Sequence, residues 1–212
     1  MLGLSEQVKA MTDAELLVQN ERLPVHMYVL AMKSSVFAFL YEAALSSQTA
    51  CTLTVTPLKG DNLQDVLAAL QFLYQASTAI SSTESKPFVQ SAEEAASLVR
   101  FGHKYAVQAL LEEGERYLIA KAKVGDGSTL FEDKTGVVAW VSLAESCKLD
   151  EFLAHAELFI IKHAGNSFWQ SSGGDGISGI SQQCFLRLLG GKQEFEDLTE
   201  VSWINHNEVW SW

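Results

Sequence analysis

The 212-residue sequence holds only three prolines and three cysteines, and it has no long apolar run. Proline is scarce, and apolar residues make up 48% of the chain against 19% charged, which excludes disordered, collagen-like and low-complexity chains over most of the length. Cys51, Cys147 and Cys184 are odd in number, far apart and without a CxxC pair. That argues against a disulfide framework and for the reduced thiols of a cytoplasmic or nuclear protein. No stretch approaches the roughly 18 apolar residues of a membrane span, and Met1 to Glu6 has no basic region leading into an apolar core. Neither membrane insertion nor export is expected, and there is no N-x-[ST] acceptor. Basic residues are also short, 15 against 26 acids for a net charge of -11. With no Lys/Arg cluster, the chain would repel a phosphate backbone, so nucleic acid is not expected as a partner.

What remains is a globular chain long enough for one domain or two small ones. Leu16-Leu17-Val18, the polar Gln19-Asn20-Glu21-Arg22 and Leu23-Pro24-Val25 predict a two-stranded hairpin. Val29, Leu30, Val36, Phe37 and Leu40 recur at helical spacing, broken at Lys33-Ser34-Ser35, which predicts two short helices at a corner with a serine capping the second. The alternation Thr52 to Thr56 predicts a strand ended by Pro57, and Leu63 to Tyr74 a helix. Gln75 to Ser91 reads as a loop enclosing a short strand at Phe88-Val89. Helices follow at Ala92 to Gly102 and Val107 to Ala122. After a break near Gly125 come helices at Val137 to Cys147, Asp150 to Ala164 and Gln182 to Leu189, with glycine-rich Ser171 to Gly179 before the last. The fold class is α+β, a small mixed sheet flanked by helices and followed by a helical extension.

Motifs for catalysis are missing. There is no Gly-x-Ser-x-Gly, His-Glu-x-x-His, phosphate-loop or Gly-x-Gly-x-x-Gly pattern, and Gly173-Gly174-Asp175-Gly176 follows a helix without a downstream lysine. His155 and His163 lie roughly 80° and two turns apart on a helix, too far to share one metal, so no metal or cofactor is expected. His26 opens a helix, where its ring is expected to satisfy backbone groups at the corner. Three of the five tryptophans fall in the last ten residues, Trp203, Trp210 and Trp212. That segment reads either as a docking motif or as a helix packed on the core, and the spacing of Trp203, Asn207 and Trp210 on one helix face favours packing.

The order of these pieces resembles the BTB/POZ family. Asp13-Ala14-Glu15-Leu16-Leu17-Val18, Leu23-Pro24-Val25-His26 and Val29 to Phe37 are similar to the family's D-V-x-h-x-V and F-x-A-H-K-x-V-L-A-A-R-S-P-V-F opening. Leu70-Gln71-Phe72-Leu73-Tyr74 resembles its L-x-F-[IL]-Y-T-G, with Gln75-Ala76 in place of Thr-Gly. Leu98 to Tyr105 resembles L-L-x-A-A-D-K-Y, Leu110 to Leu118 resembles L-x-x-x-C-E-x-F-L, and Val141 to Ile160 is similar to the start of the helical BACK extension. The resemblance implies a BTB/POZ domain over 1–122 and a BACK-like helical extension with a Trp-rich tail over 123–212.

The resemblance also implies a non-enzymatic protein–protein interaction module. It would be a homodimer acting as a self-associating adaptor for a cullin-three ubiquitin ligase; the alternative is a homo- or hetero-oligomerisation scaffold without a cullin role. Asp13 and Lys33 fall where the family places an acid and a base at its dimer interface; a hairpin-end Asp and a solvated Lys is the alternative. Phe39, Leu40 and Tyr41 fall on the helix that presents apolar side chains to cullin, where core packing is the alternative, and Leu45, just beyond it, is expected to bind the partner with them. The helices near Leu70 and Tyr105 are expected to share that face. Two departures weaken the adaptor role: Leu45-Ser46-Ser47 lacks the Glu of the hydrophobic-x-Glu motif expected in the loop after that helix, and no substrate-recruiting Kelch, MATH or zinc-finger module is present. Only 12 residues precede Asp13, so the longer N-terminal helix and swapped strand of some dimers are expected to be short or missing.

Overall fold

A computed structural model of the chain describes residues 12–46, 54–58, 60–78, 88–123, 128–131, 134–163 and 180–191. The glycine-rich stretch before residue 180 and the Trp-rich tail lie outside the described residues, as does Cys51. The chain divides into two compact units, Met1–Tyr117 and Leu118–Trp212.

In the first unit a three-stranded sheet has the order β2-β1-β3, with β1 (Ala14–Val18) in the centre. Ala14, Leu16 and Val18 alternate into the core, the period-2 pattern of a half-buried strand. β2 (Glu21–Val25) runs antiparallel, pairing Ala14 with Val25 and Val18 with Glu21. The turn is therefore two residues, Gln19-Asn20, rather than the four the sequence predicts. Both have positive φ, 48° and 70°, as a primed hairpin turn requires. β3 (Thr54–Pro57) pairs parallel to β1, with Ala14 opposite Thr54 and Leu17 opposite Pro57. A parallel partner needs a crossover, and α1 (Met27–Ala31) with α2 (Ser35–Ser46) lies in it.

α3 (Leu63–Thr78), α4 (Ala92–Lys104) and the start of α5 (Gln108–Lys123) complete the unit. α3 runs one turn beyond Tyr74, and Phe88-Val89 is not a strand; Val89 instead buries its side chain ahead of α4. Ser91 caps α4, its Oγ accepting from Glu94 N at 3.1 Å while Glu94 Oε2 accepts from Gln90 N at 2.8 Å. Ala95 to Val99 are all buried, which makes α4 the central helix. Arg100 forks onto Asp65 of α3 at 2.8 and 2.9 Å. Burial alone would raise the Asp65 pKa, but hydrogen bonds from Arg100 and Ser97 and the guanidinium charge outweigh it and hold the carboxyl below its usual range. The stability this adds is present at neutral pH and is lost as pH falls through the depressed folded value. α5 crosses α4 closely because two positions carry no side chain. A Cβ on Gly102 would sit 3.0 Å from Leu111 N, and one on Gly114 2.9 Å from Ala95 O.

In the second unit, α6 (Ser128–Phe131) is a short helix the sequence pattern does not reveal. α7 (Lys134–Cys147), α8 (Asp150–His163) and α9 (residues 182–191) follow. Phe131 packs on Phe152 and Phe159, with ring centroids 6.2 and 4.9 Å apart, and Trp140 meets Phe152 edge-on. Ser181 caps α9, accepting from Cys184 N at 3.1 Å, while Ser181 N donates to Glu145 of α7 at 3.0 Å. Glu157 of α8 receives Arg187 Nη2 at 2.7 Å and the Cys184 thiol at 3.2 Å. Burial, then the Glu157 hydrogen bond and the charges of Glu157 and Glu145, push the Cys184 thiol up to about 12.

Two outcomes follow from these placements. Phe37→Ala removes a fully buried ring and lowers unfolding stability by about 3–5 kcal/mol, whereas Phe39→Ala, whose ring is 70% exposed, stays within about 0.5 kcal/mol; urea titration distinguishes them. Cys184 resists iodoacetamide in the folded chain from pH 7 to 9 and is alkylated in urea, as read by peptide mass mapping.

Candidate functional site

The α1–α2 corner is pinned from below. Asp13 Oδ1 accepts from Met27 N, the first residue of α1, at 2.6 Å. Tyr74 OH accepts from His26 N at 2.8 Å and lies 3.2 Å from His26 Nδ1. The His26 ring therefore meets a tyrosine side chain rather than the backbone groups expected of it. Burial raises the Tyr74 pKa, partly offset by the hydrogen bond from His26 N, so the phenol keeps its proton. Met27 and Leu30 then point into the core, which turns Tyr28 and Met32 outward, 57% and 66% exposed.

The next turn fixes α2. Ser34 is buried, its Oγ accepting from Phe37 N at 3.0 Å as the cap and donating to Tyr105 O at 2.5 Å. Phe37 stacks on Tyr105 at 4.9 Å and on Phe101 at 6.3 Å. With Phe37 inward, Phe39 faces solvent from the far side of the helix, and Leu45, next to the helix end, is exposed as well. Leu40 and Tyr41 are half-buried, and Tyr41 meets Tyr28 edge-on at 6.5 Å. Glu42 is the single charged residue of the twelve in α2. A surface helix of this length ordinarily carries a charged face. Here the outward side shows apolar and aromatic groups, the composition enriched at protein interfaces.

The residues singled out in the sequence are thus divided. Phe39 and Leu45 are exposed, Leu40 and Tyr41 bridge core and surface, and Lys33 is exposed in the turn after α1. Asp13 is exposed as a residue, but one carboxylate oxygen serves α1. Leu45 and Ser46 are still helical rather than in the expected loop, and Ser47 lies outside the described residues. Leu70 and Tyr105 are core residues, so neither lines the face expected near them. Tyr28 and Met32 were missed, although helical spacing from Met27 and Leu30 on α1 carries the signal.

Ser34 is committed at both ends, and the phenol of Tyr105 donates to Asp61 at 2.5 Å. An open depression of about 460 Å³ lies elsewhere in the unit, lined by Leu17, Gln19, Asn20, Leu58 and Asp61 among others, and its carboxylate is taken by Lys104 and Tyr105. Among the described residues no group of three or more His, Cys, Asp or Glu side chains is placed to hold a metal ion. No described helix is long and apolar enough to cross a membrane.

No curated protein matches the chain. Residues 2–122 match the family model of the BTB/POZ domain, a family of protein-interaction domains, and that span covers the sheet, the α1–α2 corner and the α4–α5 crossing. The match takes in more than half of the sequence, so the chain belongs to the BTB/POZ family and contains a protein–protein interaction module.

Proposed function

We propose that the protein is a self-associating adaptor that joins a cullin-three ubiquitin ligase through the outward side of α2. The observation carrying this reading is the exposure of Phe39 and Leu45 on a helix with one charge, together with the exposure of Tyr28 on α1 and Met32 just after it. Large aromatic and apolar groups that leave water on binding supply most of the energy of an interface. Leu45-Ser46-Ser47 lacks the family's acid, so the contact rests on apolar burial. Asp13 and Lys33 belong to the pairing of two copies in this reading, residues 123–212 form a BACK-like extension, and the chain works in the cytoplasm or nucleus. The alternative, an oligomerisation scaffold without a cullin role, draws on the same missing acid.

The test is co-elution of the chain with the N-terminal domain of cullin three, with mass by light scattering. A complex of two copies of each is expected. Phe39→Ala and Leu45→Ala each weaken it at least about tenfold, or about 1.4 kcal/mol, without lowering the melting temperature. A dimer that ignores cullin leaves the scaffold reading alone, and a monomer at micromolar concentration overturns both.

A further inference from the structure

α2 offers solvent an apolar stripe with one charge at its centre. Phe39 and Leu45 are 70% and 62% exposed, and Glu42, exposed as well, stands midway between them. A step of three residues sets it about 4.5 Å along the axis and roughly 60° around the helix from each. Residues three apart on a helix are surface neighbours, so a partner lying across Phe39 and Leu45 also crosses Glu42.

Among the described residues this carboxylate has no cation. α2 holds no lysine, arginine or histidine, so no ion pair can form along the helix. No base of another described element is within ion-pairing distance either, whereas Glu15, Asp65 and Glu113 of the same unit hold Arg22, Arg100 and Arg116. The residues one turn away from Glu42 are Ala38, Phe39, Leu45 and Ser46, and none carries a charge. Ser46 Oγ donates to the backbone carbonyl of Glu42 at 2.9 Å, a bond in which the Glu42 side chain takes no part. In water such an acid is harmless. Beneath a partner it loses its hydration, and without a counter-charge that loss outweighs the burial of an apolar neighbour. A second copy is a poor occupant. Symmetric docking of two such stripes brings one Glu42 toward the other, and each copy carries a net charge of -11.

We propose that Glu42 selects the partner of α2: the chain that covers Phe39 and Leu45 is a different protein whose contact face is apolar around one lysine or arginine, and that base closes on Glu42 as water leaves. The inference rests on the reading of α2 as the docking face. It makes Glu42 the specificity-determining residue of that face. Apolar burial supplies adhesion, and the buried pair rejects acidic or wholly apolar faces of the same shape.

The test uses the full chain and the N-terminal domain of cullin three, with on-rates and off-rates read by surface plasmon resonance. Glu42→Gln keeps the size and helix preference of the side chain, and its melting curve is expected to match the parent's. It raises the off-rate at least about tenfold and leaves the on-rate within about twofold, the pattern of a desolvated pair that has lost one member. Glu42→Asp recovers part of the loss, because the charge is kept. A slower on-rate alone, erased by added salt, places the acid in a solvated rim and overturns the inference. Unchanged rates for Glu42→Gln beside a faster off-rate for Phe39→Ala overturn it too, and leave the α2 reading standing. A rise in the mass of Glu42→Gln alone by light scattering also overturns it, since α2 is then a seam between copies. A parent chain that does not bind the cullin domain removes the α2 reading and the inference with it.

Discussion

Tyr105 is the residue on which the first unit depends. Its ring lies against Phe37 and Phe101, with centroids 4.9 and 4.5 Å away, its carbonyl accepts from Ser34, and its hydroxyl donates to Asp61. Two segments, at residues 34–37 and at Asp61, each more than forty residues from Tyr105 in sequence, are joined to the end of α4 through one side chain and its carbonyl. Burial and the neighbouring Asp61 carboxylate push the phenol's pKa up, so it remains a donor across the accessible pH range. The consequence reaches the surface. Once Phe37 is captured by Tyr105, the rotation of α2 is set, and the outward placement of Phe39, roughly 160° around the helix from it, follows from helix geometry; Leu45 lies only about 80° from Phe37 and is exposed next to the helix end. The constraint that builds the core therefore selects which apolar groups face solvent.

The second unit reaches the same result with polar rather than aromatic contacts. Glu145 and Glu157 each receive donors from the start or middle of α9, and among the described residues no buried side-chain nitrogen or oxygen is left without a partner. Hydrogen bonds to charged groups are stronger and more directional than dispersion contacts. They hold the orientation of a short helix whose own core contribution is mainly Cys184 and Leu188. An apolar core alone would tolerate rotation of α9 toward burying Leu186; two fixed carboxylates do not.

Much of this was legible in the residues. The hairpin, the two helices at a corner, the serine cap, the mixed sheet and the helical extension follow from alternation, periodicity and capping. The hairpin turn was read two residues too long because neither Gln19 nor Asn20 is glycine, yet both take positive φ. Ala106 and Lys148 hide the ends of α4 and α7 in the same way, with φ of 51° and 57° where glycine is the usual residue. At both, the backbone bonds of a Schellman ending are present: Val107 N to Gly102 O at 2.8 Å and Leu149 N to Ala144 O at 2.9 Å. The division of α2 was harder to read for a different reason. A helical period locates the core by contrast with a polar side, and Ser35 to Ser46 has one charge to provide that contrast. Which of Phe37, Phe39, Leu40 and Tyr41 turns inward is settled by Phe101 and Tyr105, more than sixty residues away.

Charge sets a condition on what the exposed apolar groups can do. Each copy carries a net charge of -11, so two copies approaching one another are repelled at distances beyond a contact, and that repulsion fades within about 8–10 Å at physiological salt. Long-range attraction is then unavailable to self-association. What stabilises a pair of copies has to be short-range and desolvated. The same surplus of acid keeps a chain with several exposed leucines and aromatics from coalescing indiscriminately, because only a contact large enough to overcome the repulsion persists. Apolar side chains on rigid helices, embedded in an acidic surface, give an interaction module both its adhesion and its selectivity.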